Sequence, residues 1–211
     1  MRGGHVHVVP PDRRLSGRWV RTLLITSAGE RDDATEVAWL QAGEHYVDLR
    51  GPAGAVSAGF AGRLAAHEAD ARWLRTIDLL PARATPDQGR LDVHGDDMVE
   101  TGSDGSYVEH WRRTSRPTDP VTAVSLRRGD VDAVLVRVGD HVGWAQSGAP
   151  TEVSMGRLTA HGVLIDRSSR AGRPDLQVAW DADRLVVDGR SWSVVDLEGA
   201  SDDLVRRRST P

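Results

Sequence analysis

TEVAWLQAGEHYVDLR, residues Thr35 to Arg50, is two runs of alternating character on either side of Gly43-Glu44. Such a pattern predicts a β-hairpin, and Gly in the first central position suits a type II′ turn. With a two-residue turn, Ala42 pairs with His45, Gln41 with Tyr46 and Trp39 with Asp48. Val37, Trp39, Gln41, Tyr46, Asp48 and Arg50 then share one face, and Glu36, Ala38, Leu40, His45, Val47 and Leu49 share the other. A three-residue loop would instead set Trp39 against Val47. Two burials compete: Asp48 and Arg50 inward with Trp39 and Gln41, or an ordinary amphipathic strand that buries Val47 and Leu49. The first needs mutual hydrogen bonds or a polar ligand, because unpaired buried charge is costly.

Working outward, Gly17–Ser27 reads as a strand with Trp19, Arg21, Leu23 and Ile25 on one side, and the GERDD loop at Gly29–Asp33 leads into the hairpin. After Arg50 the composition turns to Gly, Ala and Ser, and Gly59–His67 is expected as a short helix or lid. Asp70–Leu80 returns to strand character, Pro81–Gly89 is a polar loop, and Arg90–His94, Met98–Thr101 and Tyr107–Thr114 follow as strands. Gly129-Asp130 and Gly139-Asp140 are turn signals between Val121–Arg128, Val131–Val138 and His141–Gln146. They place Val124, Leu126, Ala133, Leu135, Val142, Trp144 and Gln146 on one face. Arg157–Asp166, Leu176–Trp180 and Arg184–Val187 complete the set, and Asp188-Gly189 turns the chain into Ser191–Val195, bringing Leu185, Val187, Trp192 and Val194 together. About ten to twelve short strands at regular spacing, with no sustained 3.6-residue period, predict an all-β barrel or sandwich with at most one or two short helices, and a barrel removes the sheet edges that such hairpins would otherwise expose. Residues 1–14 are expected as a flexible lead-in, 15–197 as one barrel domain, and 198–211 as a frayed tail that includes Arg206 to Arg208.

Composition narrows the chemistry. The 211 residues carry a formal charge of −4 with both signs interspersed, which favours neither nucleic acid nor a membrane surface as partner. There is no Cys, so disulfides, thiolate metal sites and Cys nucleophiles are excluded. All 27 basic residues are Arg, which excludes a Schiff-base lysine and a Walker A loop. No apolar run approaches the roughly 18 residues of a membrane span, and the N-terminus lacks a signal-peptide core, so a cytoplasmic protein is expected. His5 and His7, two apart near the N-terminus, read as solvated rather than as metal ligands.

A second stretch, VETGSDGSYVEHW at Val99–Trp111, puts Tyr107, Glu109 and Trp111 on one face. Together the two stretches spell W-x-R (Trp19, Arg21), D-x-x-T-x-V-x-W-L-Q (Asp32, Thr35, Val37, Trp39, Leu40, Gln41) and Y-V-D-L-R-x-P (Tyr46 to Arg50, Pro52). V-E-T-G (Val99 to Gly102) and Y-x-E-x-W (Tyr107, Glu109, Trp111) follow. Over about Trp19 to Gln146 this resembles a family of lipocalin-like proteins that includes a fungal protein known for interacting with a casein kinase and many uncharacterised bacterial members. The resemblance implies an antiparallel up-and-down, calycin-type β-barrel, either undivided or itself made of two related halves, 15–94 and 95–197, and no established catalytic set.

The residues support small-molecule binding, with Arg21, Trp39, Gln41, Asp48, Arg50, Tyr107, Glu109, Trp111 and Trp144 as ligand-binding candidates for polar or anionic groups. No cofactor is called for, and a homodimer is compatible with this reading. The alternative is a cofactor-independent lyase, isomerase or cyclase with Glu109 or Asp48 as base and Tyr107 as donor, since burial can raise a carboxyl from about 4 toward neutrality. A haem-binding barrel with His141 or His161 as axial ligand is a further, weaker alternative. A carboxylate beside a cavity and free of Arg would favour chemistry, whereas a bidentate Arg partner would favour a structural role.

Overall fold

The computed structural model describes residues 14–81, 87–116 and 118–204. The first sheet contains β1 (Gly17–Thr26), β2 (Arg31–Asp32), β3 (Glu36–Ala42), β4 (His45–Gly51), β5 (Ala58–His67), β6 (Asp70–Asp78), β7 (Asp87–His94), β8 (Asp97–Gly102) and β9 (Tyr107–Arg113). Its order is β2-β1-β3-β4-β5-β6-β7-β8-β9, and β1 also pairs with β9. Eight strands therefore close into an antiparallel up-and-down barrel without free edges, with β2 an appendage on β1. The second sheet contains β10 (Val121–Arg128), β11 (Val131–Val138), β12 (His141–Gln146), β13 (Glu152–Thr159), β14 (Gly162–Ser168), β15 (Val178–Asp181), β16 (Arg184–Val187) and β17 (Arg190–Glu198), in the order β14-β13-β12-β11-β10-β17-β16-β15. One short helix, α1 (Ser201–Leu204), follows. No helix among the described residues is long and apolar enough to cross a membrane.

The expected class, all-β and antiparallel with an up-and-down barrel, is the one observed. Among the described residues the strands number seventeen rather than ten to twelve, for identifiable reasons. Gly59–His67, expected as a helix or lid, is the bulk of β5: it pairs with β4 on one side and β6 on the other, and its small residues Gly59, Ala61 and Gly62 lie in the first, buried half of the strand. Arg157–Asp166, expected as one strand, falls across two, β13 and β14, which turn between Thr159 and Gly162. The change of sheet lies between Arg113 and Val121 and not near residue 95, because β7, β8 and β9 are needed to close the first barrel.

The hairpin takes the two-residue register, with Trp39 opposite Asp48, Gln41 opposite Tyr46 and Ala42 opposite His45, and Gly43 adopts a φ of 55°. Both of its faces are buried. Val37, Trp39 and Tyr46 enter a core with Trp19, Phe60, Trp73 and Trp111 inside the barrel. Leu40, Val47 and Leu49 enter a second core, outside the barrel, with Val134, Val136, Val153 and Met155 of the other sheet. The aliphatic face thus glues the two sheets together, while the aromatic and charged face fills the barrel. A third core lies on the far side of the second sheet and holds Val124, Leu126, Leu135, Trp144, Leu185 and Trp192, the faces expected from the turns.

Residues 198–204, expected as the start of a frayed tail, are ordered by specific contacts. The Glu198 carboxylate accepts the Glu44 backbone N–H at 2.9 Å, and Leu204 of α1 is buried in the third core. His5, His7 and Arg206 to Arg208 lie outside the described residues.

Candidate functional site

The barrel interior divides into an aromatic end and a charged end. Trp39 packs at 6.4 Å from Trp19, 6.0 Å from Trp73 and 5.7 Å from Trp111, the last two edge-on. Trp39 Nε1 donates to Gln41 Oε1 at 2.9 Å, and Gln41 Nε2 donates to the Gly43 carbonyl at 2.6 Å. These side chains close the barrel at the end where β3 turns into β4. Trp39, Gln41 and Trp111 are therefore buried packing and turn-holding residues.

Toward the opposite end the inward positions become ionic. Arg50 forks onto Asp48, with Nε 2.7 Å from Oδ1 and Nη2 3.2 Å from Oδ2, and its Nη1 stands 3.5 Å from Glu109. Arg21 donates to Glu109 at 2.8 Å and to Asp32 at 2.7 Å. Asp32 also accepts the backbone N–H of Thr35 at 2.9 Å and of Ala34, contacts that hold its carboxyl below the usual range. The D-x-x-T of the sequence is thus the turn that presents Asp32 to Arg21. Arg75 binds Asp78 at 3.0 Å and also Asp87, while its guanidinium lies 3.4 Å from the Phe60 ring centroid.

Glu100 is the exception. It is buried, it sits directly opposite Glu109 across β8 and β9, and among the described residues it forms no ion pair. Among the described residues its one hydrogen-bond partner is the Tyr107 hydroxyl, which donates to Oε1 at 2.7 Å. Burial, then the Glu109 charge, push the Glu100 carboxyl up to about 8. The Tyr107 phenol is pushed up as well, by burial and then by Glu100, so it stays a donor. Burial raises Asp48 against the pull of Arg50. For Arg50, burial works downward but Asp48 and Glu109 outweigh it, so the guanidinium is held charged. Tyr46 Oη, Arg21 Nε and Trp111 Nε1 are among the buried donors of the barrel strands that have no acceptor among the described residues. Such donors commonly meet water or a ligand.

The predicted residues Arg21, Asp48, Arg50, Tyr107 and Glu109 do come together at this charged end. Two expectations attached to them change. Arg21 and Arg50 are occupied by carboxylates, so they are not free to receive an anionic ligand. Asp48 and Glu109 are bound by Arg, the arrangement that favours a structural role over general-base chemistry. Trp144 belongs elsewhere: it packs edge-on to Trp192 at 5.6 Å in the core of the second sheet. His141 faces a crevice between the sheets beside Arg18 and Arg157, and its pKa is lowered by burial and then by those charges. His161 lies on an exposed turn at the rim of a cavity of about 910 Å³, which Gln177, Trp180 and Val194 also line. None of the ligand-binding residues expected from the sequence borders that cavity.

Sequence reasoning missed Glu100, Arg75, Asp78 and Asp87. Glu100 was discoverable: it stands within the V-E-T-G motif, and the strand pairing across Ser103–Ser106 sets it against Glu109. Arg75, Asp78 and Asp87 come from strands whose mutual placement depends on barrel closure, which no local pattern reports.

No family model and no curated protein matches the chain. Among solved structures it is similar to the uncharacterised protein YLR301w of Saccharomyces cerevisiae, with a TM-score of 0.65, 12% identity, and coverage of 86% of this chain and 98% of that one. At that identity the likeness concerns the fold alone.

Proposed function

We propose that this chain is a small-molecule-binding, lipocalin-like barrel protein whose site is the charged end of the closed barrel, and that its ligand brings a cationic group to Glu100. The observation that carries this is Glu100 itself, a buried carboxyl with a tyrosine donor, a facing carboxylate and no guanidinium of its own. Glu109, Asp87 and Arg50 act on it directly, and the same barrel holds Asp48 and Asp78 beside Arg50 and Arg75, with Arg21 shared between Glu109 and Asp32 of the appended β2. The excess is acidic, so a cation relieves the repulsion that the folded chain otherwise relieves by keeping Glu100 protonated. The unsatisfied donors Tyr46 Oη and Arg21 Nε complement acceptor atoms on the same ligand.

Titration of guanidinium- and quaternary-ammonium-bearing metabolites, with carboxylate metabolites as controls, tests this through tryptophan emission, since Trp111 follows Glu109 by two residues on β9. Saturable binding of a cation that weakens at least tenfold in Glu100→Gln supports the proposal. Preference for carboxylates, or equal binding by Glu100→Gln, overturns it.

The same carboxyl favours a second reading, acid–base catalysis. In that case Glu100, rather than Asp48 or Glu109, carries the proton, because a group titrating near 8 exchanges protons readily at neutral pH. Recovery of a bound ligand chemically unchanged after prolonged incubation argues for binding; conversion lost in Glu100→Gln argues for catalysis.

A further inference from the structure

Where the aromatic end of the barrel meets the second sheet, three side chains from two sheets converge: His45 at the start of β4, and Asp196 and Glu198 near the end of β17. Each offers one ligand atom, and these atoms lie within 4.8 Å of one another. We propose that this cluster binds a divalent transition-metal ion of the zinc type, with His45 Nε2 and Asp196 as protein ligands and Glu198 as the carboxylate that orients the imidazole.

The division of roles follows from geometry. Glu198 Oε1 lies 2.8 Å from His45 Nδ1. Glu198 is fixed independently, because both its carboxylate oxygens accept the Glu44 backbone N–H, at 2.9 and 3.0 Å, and its carbonyl accepts the Thr122 hydroxyl at 2.7 Å. A carboxylate held in this way accepts the Nδ1 proton and leaves the lone pair on Nε2, the arrangement that metal-binding histidines use. Nε2 is buried and has no hydrogen-bond partner among the described residues, although the residue is only 1% exposed. A buried ring nitrogen without a partner is unusual, and here it is aimed at the Asp196 carboxylate, whose Oδ2 stands 3.8 Å away. That separation is too long for a hydrogen bond and close to the span of two ligands that each reach about 2.1 Å to one metal ion.

The surroundings allow entry. Asp196 is more than a third exposed, so the metal side of the imidazole faces outward through the carboxylate. Arg63 approaches Asp196 at 3.6 Å, but it is already bound to Glu44, whose Oε2 lies 2.9 Å from its Nε. An imidazole with a carboxylate suits zinc, cobalt or nickel better than magnesium or calcium, which prefer oxygen ligands alone, and water fills the remaining positions. Because its ligands come from both sheets, the ion would tie the barrel to the second sheet, and its binding would raise the unfolding temperature.

Cobalt(II) and zinc titrations of the full-length protein test the site. One ion per chain, with the visible absorption of cobalt bound to nitrogen and oxygen and a rise in unfolding temperature, is the expected result. Asp196→Asn changes a partly exposed side chain and should weaken binding at least tenfold while the apo protein unfolds normally; His45→Gln should abolish it. Replacing His5 and His7 together, or the exposed His94, should leave it intact. Absence of stoichiometric binding, or binding unchanged in Asp196→Asn, overturns the proposal, as does loss of binding in the His5/His7 double variant alone.

Discussion

Glu100 and Glu109 stand directly opposite one another on neighbouring strands inside a closed barrel, and among the described residues only Glu109 of the two is met by arginine. Like charges in register are destabilising, and burial removes the water that would screen them. The pair settles by leaving one member protonated. Glu100 takes that role, because Arg21 and Arg50 both reach Glu109 while the phenol of Tyr107 reaches Glu100.

This relationship makes stability depend on pH in a definite direction. Glu100 ionises at about 8 when folded, against an ordinary value of 4.5. Its contribution to stability is complete below pH 4.5 and is lost as the pH rises through about 8, with a slope of up to ~1.4 kcal/mol per pH unit. Glu100→Gln carries no such charge. Urea unfolding of both proteins at pH 5, 7 and 9 should show the difference between them shifting steadily in favour of the variant as the pH rises. A difference that stays constant across this range would mean that Glu100 is ionised in the folded chain.

Asp48 and Arg50 are two residues apart on one face of β4 and form a bidentate pair. Removing the arginine leaves Asp48 buried without its partner, whereas removing the Asp48 charge leaves Arg50 still within 3.5 Å of Glu109. Arg50→Ala is therefore expected to cost about 2–4 kcal/mol, at the lower side of the range for a buried pair because the guanidinium is 26% exposed. Asp48→Asn should cost about 1–2 kcal/mol. The double variant should lose less than the sum, which urea unfolding of the four proteins measures directly.

The β3–β4 turn carries a contact with the second sheet that a glycine makes room for. A Cβ on Gly43 would stand 1.1 Å from Glu198 Oε2, and the residue has a φ of 55°. At Gly95 the φ is similar, 64°, but nothing lies within 4 Å of a Cβ. Gly95→Ala thus measures backbone strain alone, about 1 kcal/mol. Gly43→Ala should cost about 1–3 kcal/mol more, since it also displaces the carboxylate that holds Glu44 N–H and His45. In a Glu198→Ala background that excess should disappear.

Much of this was legible from residues 35 to 50. The Gly43-Glu44 turn set the parity, and parity put Trp39, Asp48 and Arg50 on one face. What parity could not supply was the burial of the other face. The pairing of Val47 and Leu49 with Val134, Val136 and Val153 depends on a sheet that starts more than seventy residues later, so the competition between a polar and an aliphatic interior was posed within one strand but resolved between two sheets. Trp144 was misassigned for the same reason: its face was read correctly, but the face belongs to the second sheet's own core. Gly59–His67 lacked the β-branched residues that mark a strand, and only its neighbours β4 and β6 make it one. The excess of acid in the barrel was hidden because Asp48, Asp78, Asp87, Glu100 and Glu109 come from five different strands, β4, β6, β7, β8 and β9, whose inward positions meet only on closure.

The most direct measurement is calorimetric titration of a permanently charged ligand, guanidinium-type or quaternary ammonium, at pH 7 in two buffers of different ionisation enthalpy. With Glu100 titrating at about 8, the carboxyl is roughly nine-tenths protonated at that pH, so a cation that replaces its proton should release close to one proton per ligand bound. The observed heat should then differ between buffers in wild type and become buffer-independent in Glu100→Gln. Binding with no proton release in wild type, or with the same release in Glu100→Gln, would contradict the assignment of Glu100 as the group that receives the ligand.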